Sequence, residues 1–183
     1  MKVAIVALLI AGALSTTPTY PTVSNDFVAN ISINEGAGGT YTGWLVSDVT
    51  GHRSFRYVKE LNETTYSFQT FGSAVLYVYT IMNSGCTCQV TQGGVISDYF
   101  SSIVTAKQST KACNGTSGTL YVNDILTVLP AVPNSNFCVD GTTPKYVQTN
   151  DRITTFTNFV AGRPDFPVEP MNTWQDACNN ACL

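Results

Sequence analysis

From Phe27 onward the chain alternates. Phe27, Ala29, Ile31 and Ile33 stand at every second position, separated by Val28, Asn30, Ser32 and Asn34, the period of a half-buried β-strand. Residues 35–39, EGAGG, break the pattern as a turn. Residues 40–57, TYTGWLVSDVTGHRSFRY, then read as a β-hairpin with Thr50-Gly51 at its tip, where the glycine favours a two-residue turn. Counting outward places Asp48 opposite Arg53, Val46 opposite Phe55 and Trp44 opposite Tyr57. One face of the hairpin thus carries large apolar cross-strand pairs, closed near the turn by opposite charges. Leu45, Ser47, Ser54 and Arg56 point the other way, toward solvent. The pattern predicts a sheet dry on one face and wet on the other.

Leu61-Asn62-Glu63 makes the next turn. Residues 64–71 alternate again, with Tyr66 and Phe68 on one face, and Phe71-Gly72 turns into residues 73–82. There Leu76 and Val78 oppose Val75, Tyr77, Tyr79 and Ile81, so this strand is apolar on both faces and is expected in the middle of the sheet. Five strands joined by short turns predict an antiparallel meander. In residues 94–106 the period changes: Val95, Ile96, Tyr99, Phe100, Ile103 and Val104 recur at helical spacing. A helix laid across the mouth of the sheet is predicted, with a further β-branched strand as the alternative.

Residues 107–118 read as a polar loop. Residues 119–129 and 146–160 resume strand character, with Pro130, Pro133, Gly141 and Pro144 between them. Ile153, Phe156 and Phe159 do not alternate cleanly, the mark of a bulge or an edge. The proline-rich residues 162–170 cannot pair as a central strand, and Asn172 with Gln175 caps a final short helix.

Composition narrows the function. Charged residues make up 11% against a usual share of about 25%. The formal net charge is -3, without a basic patch for nucleic acid or an anionic membrane surface. Residues 1–15, MKVAIVALLIAGALS, have one early Lys2, an apolar run, and small residues at Ala11, Ala13 and Ser15. They read as a secretory signal peptide, too short to span a bilayer. Residues 16–183 are then a single domain, expected outside the cell or in the lumen of the secretory-lysosomal pathway, with no transmembrane segment.

Six cysteines (Cys86, Cys88, Cys113, Cys138, Cys178, Cys182) in such a chain read as three disulfides. Cys86 and Cys88 are two apart on one strand and bond to each other only with strain. Cys178 and Cys182 are four apart on one side of a short helix and make their natural partners. Cys113–Cys138 would close the loop around the 119–129 strand, contributing about 3 kcal/mol. A zinc cluster is the rival reading of these cysteines, disfavoured by the oxidising compartment and the lack of nearby histidine. Sequons stand at Asn30, Asn62 and Asn114.

Nothing points to an enzyme. The single histidine, His52, sits at the hairpin turn. There is no G-x-S-x-G elbow, zinc motif or phosphate loop, and paired cysteines leave no thiol nucleophile. No catalytic residue, cofactor or metal site is expected. Asp48, Asp124 and Asp151 are isolated carboxylates that form no calcium loop. A hydrophobic ligand is expected instead against the dry face, at Trp44, Val46, Phe55, Tyr57, Phe68, Tyr77 and Tyr79. The competing readings are a closed core filled by these side chains, and an extracellular recognition protein acting through its exterior.

The F-x-A-x-I strand at Phe27, the hairpin through Tyr57, and the tail from Phe156-Thr-Asn-Phe159 to Gly162-Arg-Pro-Asp165, followed by Pro170 and Cys178, resemble the LolA/LolB-like and ependymin-related group. The resemblance implies a mainly β fold, in which a curved antiparallel sheet forms a half-open barrel. One or two short helices would lie over its concave face, around an apolar cavity for a lipid. It also implies secretion or lysosomal residence, disulfides, N-glycans and, in many members, homodimers. The Cys86-Thr-Cys88 and Cys178/Cys182 pairs depart from that pattern.

Overall fold

The structure, a computed structural model, describes residues 20–70, 72, 74–83, 85–96, 98–100, 103, 106–123, 135–165 and 178. The N-terminal run read as a signal peptide, Asp124, Cys182 and all of the final helix except Cys178 lie outside them.

The chain is mainly β, as predicted, and builds one eleven-stranded antiparallel sheet that does not close. Six strands form the first half: β1 (Asp26–Asn34), β2 (Thr40–Asp48), β3 (Arg53–Val58), β4 (Glu63–Gln69), β5 (Val75–Met82) and β6 (Gly85–Gln92). Five form the second: β7 (Lys107–Ala112), β8 (Thr119–Asn123), β9 (Ser135–Asp140), β10 (Thr143–Thr149) and β11 (Arg152–Ala161). The order is β6-β5-β4-β3-β2-β1-β11-β10-β9-β8-β7. The meander therefore has two arms, and the first and last strands pair at its centre.

The hairpin register is the one counted from the sequence: Trp44 pairs Tyr57, Val46 pairs Phe55 and Asp48 pairs Arg53. The turn closes through the His52 amide, which donates to Val49 O at 3.1 Å. It is His52, at φ 56°, that takes the left-handed conformation. Glycine is required at 51 for a different reason: a Cβ there would stand 2.2 Å from Asp48 Oδ2.

The irregularity in the last strand is a bulge. Val28 pairs Val160 but Asn30 pairs Thr157, so β11 carries one extra residue, with Asn158 at φ 51°. Without it Phe156 and Phe159, three apart, would face opposite sides. With it both reach Phe27, at centroid distances of 6.1 and 4.9 Å.

Several expectations are corrected. The strand at residues 73–82, expected mid-sheet, is β5, one place from the edge and half-buried throughout most of its length. The edge beyond it is β6, GCTCQVTQ, in which Cys86, Cys88 and Val90 alternate with polar residues but only the two cysteines are even half-buried. The polar loop expected at 107–118 begins with β7, KQSTKA, the opposite edge. Polar side chains are what edge strands need to discourage pairing between molecules. Residues 146–160 are two strands, β10 and β11, divided at Asn150, which has φ 52°. β9 lies in the proline- and glycine-marked interval and buries Phe137, Cys138 and Val139.

The helix expected at 94–106 is also corrected. Among the described residues its hydrogen bonds run from Ile103 N to Phe100 O and from Ala106 N to Ile103 O, the three-residue spacing of 3-10 turns. Of the residues at that spacing Ile96, Phe100 and Ile103 are buried and Tyr99 is half-buried, whereas Val95 is 70% exposed; Ala106, outside the pattern, is buried as well. This segment lies against one face of the sheet, where Phe27, Ala29, Ile31, Ile33, Leu45, Phe137 and Phe156 form the main core with it. We call this the covered face.

The two-sided expectation, dry on the Trp44 side and wet on the Leu45 side, is overturned. Leu45 pairs Ala29, and Ser47 pairs Phe27. The register with β1 thus places Leu45 and Ser47 on the covered face, both fully buried. The Trp44 side is the opposite face and has its own smaller cluster, in which Val46, Phe55 and Tyr66 are buried. Two disulfides join described residues, Cys86–Cys178 and Cys113–Cys138, as the spacing predicted. Cys88 is disulfide-bonded as well. No helix among the described residues is long and apolar enough to cross a membrane.

Candidate functional site

Small side chains in register leave space over the covered face. Ser47, Ser54 and Ser67 are cross-strand neighbours on β2, β3 and β4, and none reaches far above the backbone. Beside them a cavity of about 240 Å³ is walled by Leu45, Leu76 and Val78 from the sheet and by Val95, Ile96 and Tyr99 from the covering segment. Its floor is polar, with Ser54, Arg56, Thr65 and Ser67.

Arg56 lines both this space and a second cavity of about 180 Å³ toward Ile33, Tyr41, Val58 and Arg152. One guanidinium nitrogen, Nη2, donates to Glu63 Oε1 at 2.6 Å and to Thr65 Oγ1 at 3.3 Å. Arg56 Nε is buried and has no acceptor among the described residues. Burial pushes the Tyr99 phenol up, against the nearby Arg56 and Arg152 guanidiniums, which draw it down. The arrangement is an apolar wall with a hydrogen-bonding floor, which suits an amphiphilic guest.

The seven residues expected to bind ligand are brought together, but on the opposite face. Trp44 stacks on Phe55 at 4.3 Å, and Phe68 stacks on Tyr77 and Tyr79 at 5.1 and 5.8 Å. Val46 is buried between β1 and β3, and Tyr57 is half-buried beside Trp44. None of the seven lines either cavity described above. The residues that line the space of about 240 Å³, among them Leu45, Ser54, Arg56, Thr65, Ser67, Ile96 and Tyr99, are not among the seven. Their signal was present in the apolar Leu76 and Val78 of β5, which needed a covering partner.

Asp48 closes the aromatic face. Its side chain is fully buried and accepts from Arg53 Nε at 2.7 Å and from the Gly51 amide at 2.8 Å, with Arg163 Nε at 3.4 Å. Asp151 is exposed in the β10–β11 turn, and His52 is exposed at the hairpin tip.

Burial raises the Tyr66 phenol from 10.0 to about 12, with Asp48 pushing the same way and Arg53 opposing. The fold favours the neutral phenol, so stability is expected to fall as pH rises from 10.0 toward about 12. Urea unfolding across that window should show the slope, and Tyr66→Phe should flatten it.

The three sequon asparagines, Asn30, Asn62 and Asn114, are all exposed. Compared with known proteins, the chain matches no protein-family model and no curated protein.

Proposed function

We propose that the protein is a secreted glycoprotein of the ependymin-related, LolA-like kind that carries a lipid or other hydrophobic molecule. The ligand would sit between the covered face of the half-open sheet and Val95, Ile96 and Tyr99. The observation that carries this reading is the unfilled space of about 240 Å³ above the serine row, bounded by Leu45, Leu76, Val78, Ile96 and Tyr99. The space opens to solvent at its rim, where Val95 is exposed, so a ligand can enter it and cover the apolar wall. Arg56, reaching the neighbouring cavity, offers a donor to a polar headgroup. The disulfides support an oxidising compartment.

Organic extraction of the secreted protein followed by mass spectrometry should recover lipid. A fluorescent polyene fatty acid should bind saturably. Ser67→Phe, which fills the space above the serines, should weaken that binding roughly tenfold, while Tyr79→Ala on the opposite face should leave it unchanged. Absence of both extracted lipid and saturable probe binding would reject the carrier.

A second reading, recognition through the exterior, is favoured by the half-exposed aromatic ladder of Trp44, Tyr57, Phe68, Tyr77 and Tyr79, with Val90 43% exposed at the edge. In that case no lipid is recovered, and Phe68→Ser abolishes binding of the protein to cells.

A further inference from the structure

The largest of these spaces is elsewhere. A groove of about 460 Å³ lies over β10 and β11 and is bordered by a sequon: Asn114, Gly115 and Thr116 form one wall. Opposite them stand Thr143, Lys145, Thr155 and Thr157. Threonine presents both a hydroxyl and a methyl group, which matches a pyranose ring with polar edges and apolar C–H faces. Lys145 adds a donor for a carbonyl such as that of an N-acetyl group.

The sequon is held firmly at the rim. Cys113, the residue before it, is bonded to Cys138 on β9. The Asn114 amide donates to the Tyr146 hydroxyl at 3.3 Å. Ser117 Oγ donates to Asp140 Oδ2 at 3.1 Å. Gly115, at φ 71°, supplies the left-handed turn that presents the asparagine. The other two sequons differ. Asn30 lies within β1 between Trp44 and Thr157, and the Asn62 amide donates to Asn83 Oδ1.

The geometry points to Asn114 as an N-glycosylation site whose first sugars lie in this threonine-lined groove of the same chain. The donor is an oligosaccharide linked through pyrophosphate to a polyisoprenoid lipid. Asn114 Nδ2 forms a bond to the anomeric carbon of the first N-acetylglucosamine, the lipid pyrophosphate leaves that carbon, and the amide nitrogen loses one proton. The glycan, tethered at a rigid point, is presented to the groove at high effective concentration and docks along the wall of β10 and β11. The inference rests on the reading of the chain as a secreted glycoprotein but not on the cavity of about 240 Å³, which lies on the other side of the sheet; loss of protection with Asn114 still occupied rejects the docking alone.

The full chain is expressed through a glycosylating eukaryotic secretory pathway and mapped by glycopeptide mass spectrometry. Asn114 is expected to be occupied. An endoglycosidase that cuts between the first two N-acetylglucosamines should act at Asn114 roughly tenfold more slowly on native protein than on reduced, denatured protein. Thr143→Val with Thr155→Val, which keeps β-branched residues in both strands, should abolish that protection without lowering occupancy. A bare Asn114, equal rates on native and denatured protein, or full protection retained in the double variant would each overturn the proposal.

Discussion

Phe27→Ala is expected to cost about 3–5 kcal/mol of stability, as for other fully enclosed phenylalanines. Phe27 is 0% exposed. Its ring contacts Tyr99 and Phe100 of the covering segment at 6.2 and 5.6 Å, and Phe156 and Phe159 of β11 at 6.1 and 4.9 Å. Truncation removes the one side chain that all four aromatics share, and the void cannot collapse without shifting both β11 and the segment. The fall in melting temperature should be about 10 °C for a chain of this size, read by calorimetry. Because Tyr99 also walls the cavity of about 240 Å³, the fatty-acid probe of the proposed function should bind Phe27→Ala more weakly than Phe27→Leu. A loss below about 1 kcal/mol would mean that the segment is not seated on Phe27.

Asp48→Ala should be nearly as damaging, by about 3 kcal/mol, because it leaves charges without their buried partner. Arg53 and Arg163 both lose their carboxylate, and the Gly51 amide loses its acceptor. Arg53 is 25% exposed, so water recovers part of the loss, which places the effect at the lower end for buried pairs. Asp48→Asn keeps an acceptor for Gly51 and should fall between the two. Gly51→Ala tests the same contact from the other side, since its Cβ would collide with the carboxylate. Chemical unfolding of the three variants should rank them Asp48→Ala least stable, with both of the others below the parent. An Asp48→Ala protein as stable as the parent would show the pair to be spectator charge.

What the sequence reveals here is local pairing. The period-2 run at Phe27 and the register of the 40–57 hairpin follow from counting along short stretches; the broken alternation of the last strand allows a bulge or an edge, of which the structure has the bulge, and Cys113–Cys138 is the pair that remains once the other four cysteines are matched. What it hides depends on distant partners. Leu45 and Trp44 are both compatible with an inward face until β1 is laid alongside β2, and Ala29 opposite Leu45 decides the matter. β7 is invisible because an edge strand need bury neither face. At 94–106 the two hydrogen bonds among the described residues span three positions, an interval close enough to that of an α-helix for apolar spacing not to tell them apart. The space of about 240 Å³ lies away from the seven expected residues for the first of these reasons. Aromatic residues mark an apolar face, whereas the empty space lies over the serines, whose smallness is silent in a hydrophobic pattern.

The pairing of β1 with β11 also orders the protein's birth. A ribosome delivers Asp26–Asn34 more than one hundred residues before Arg152–Ala161, so the six-strand arm emerges with one flank of its innermost strand bare. That flank, the row of backbone amides and carbonyls that β11 later pairs, is open to other strands until then. Chaperone occupancy during translation should therefore peak before β11 is released and drop once it docks.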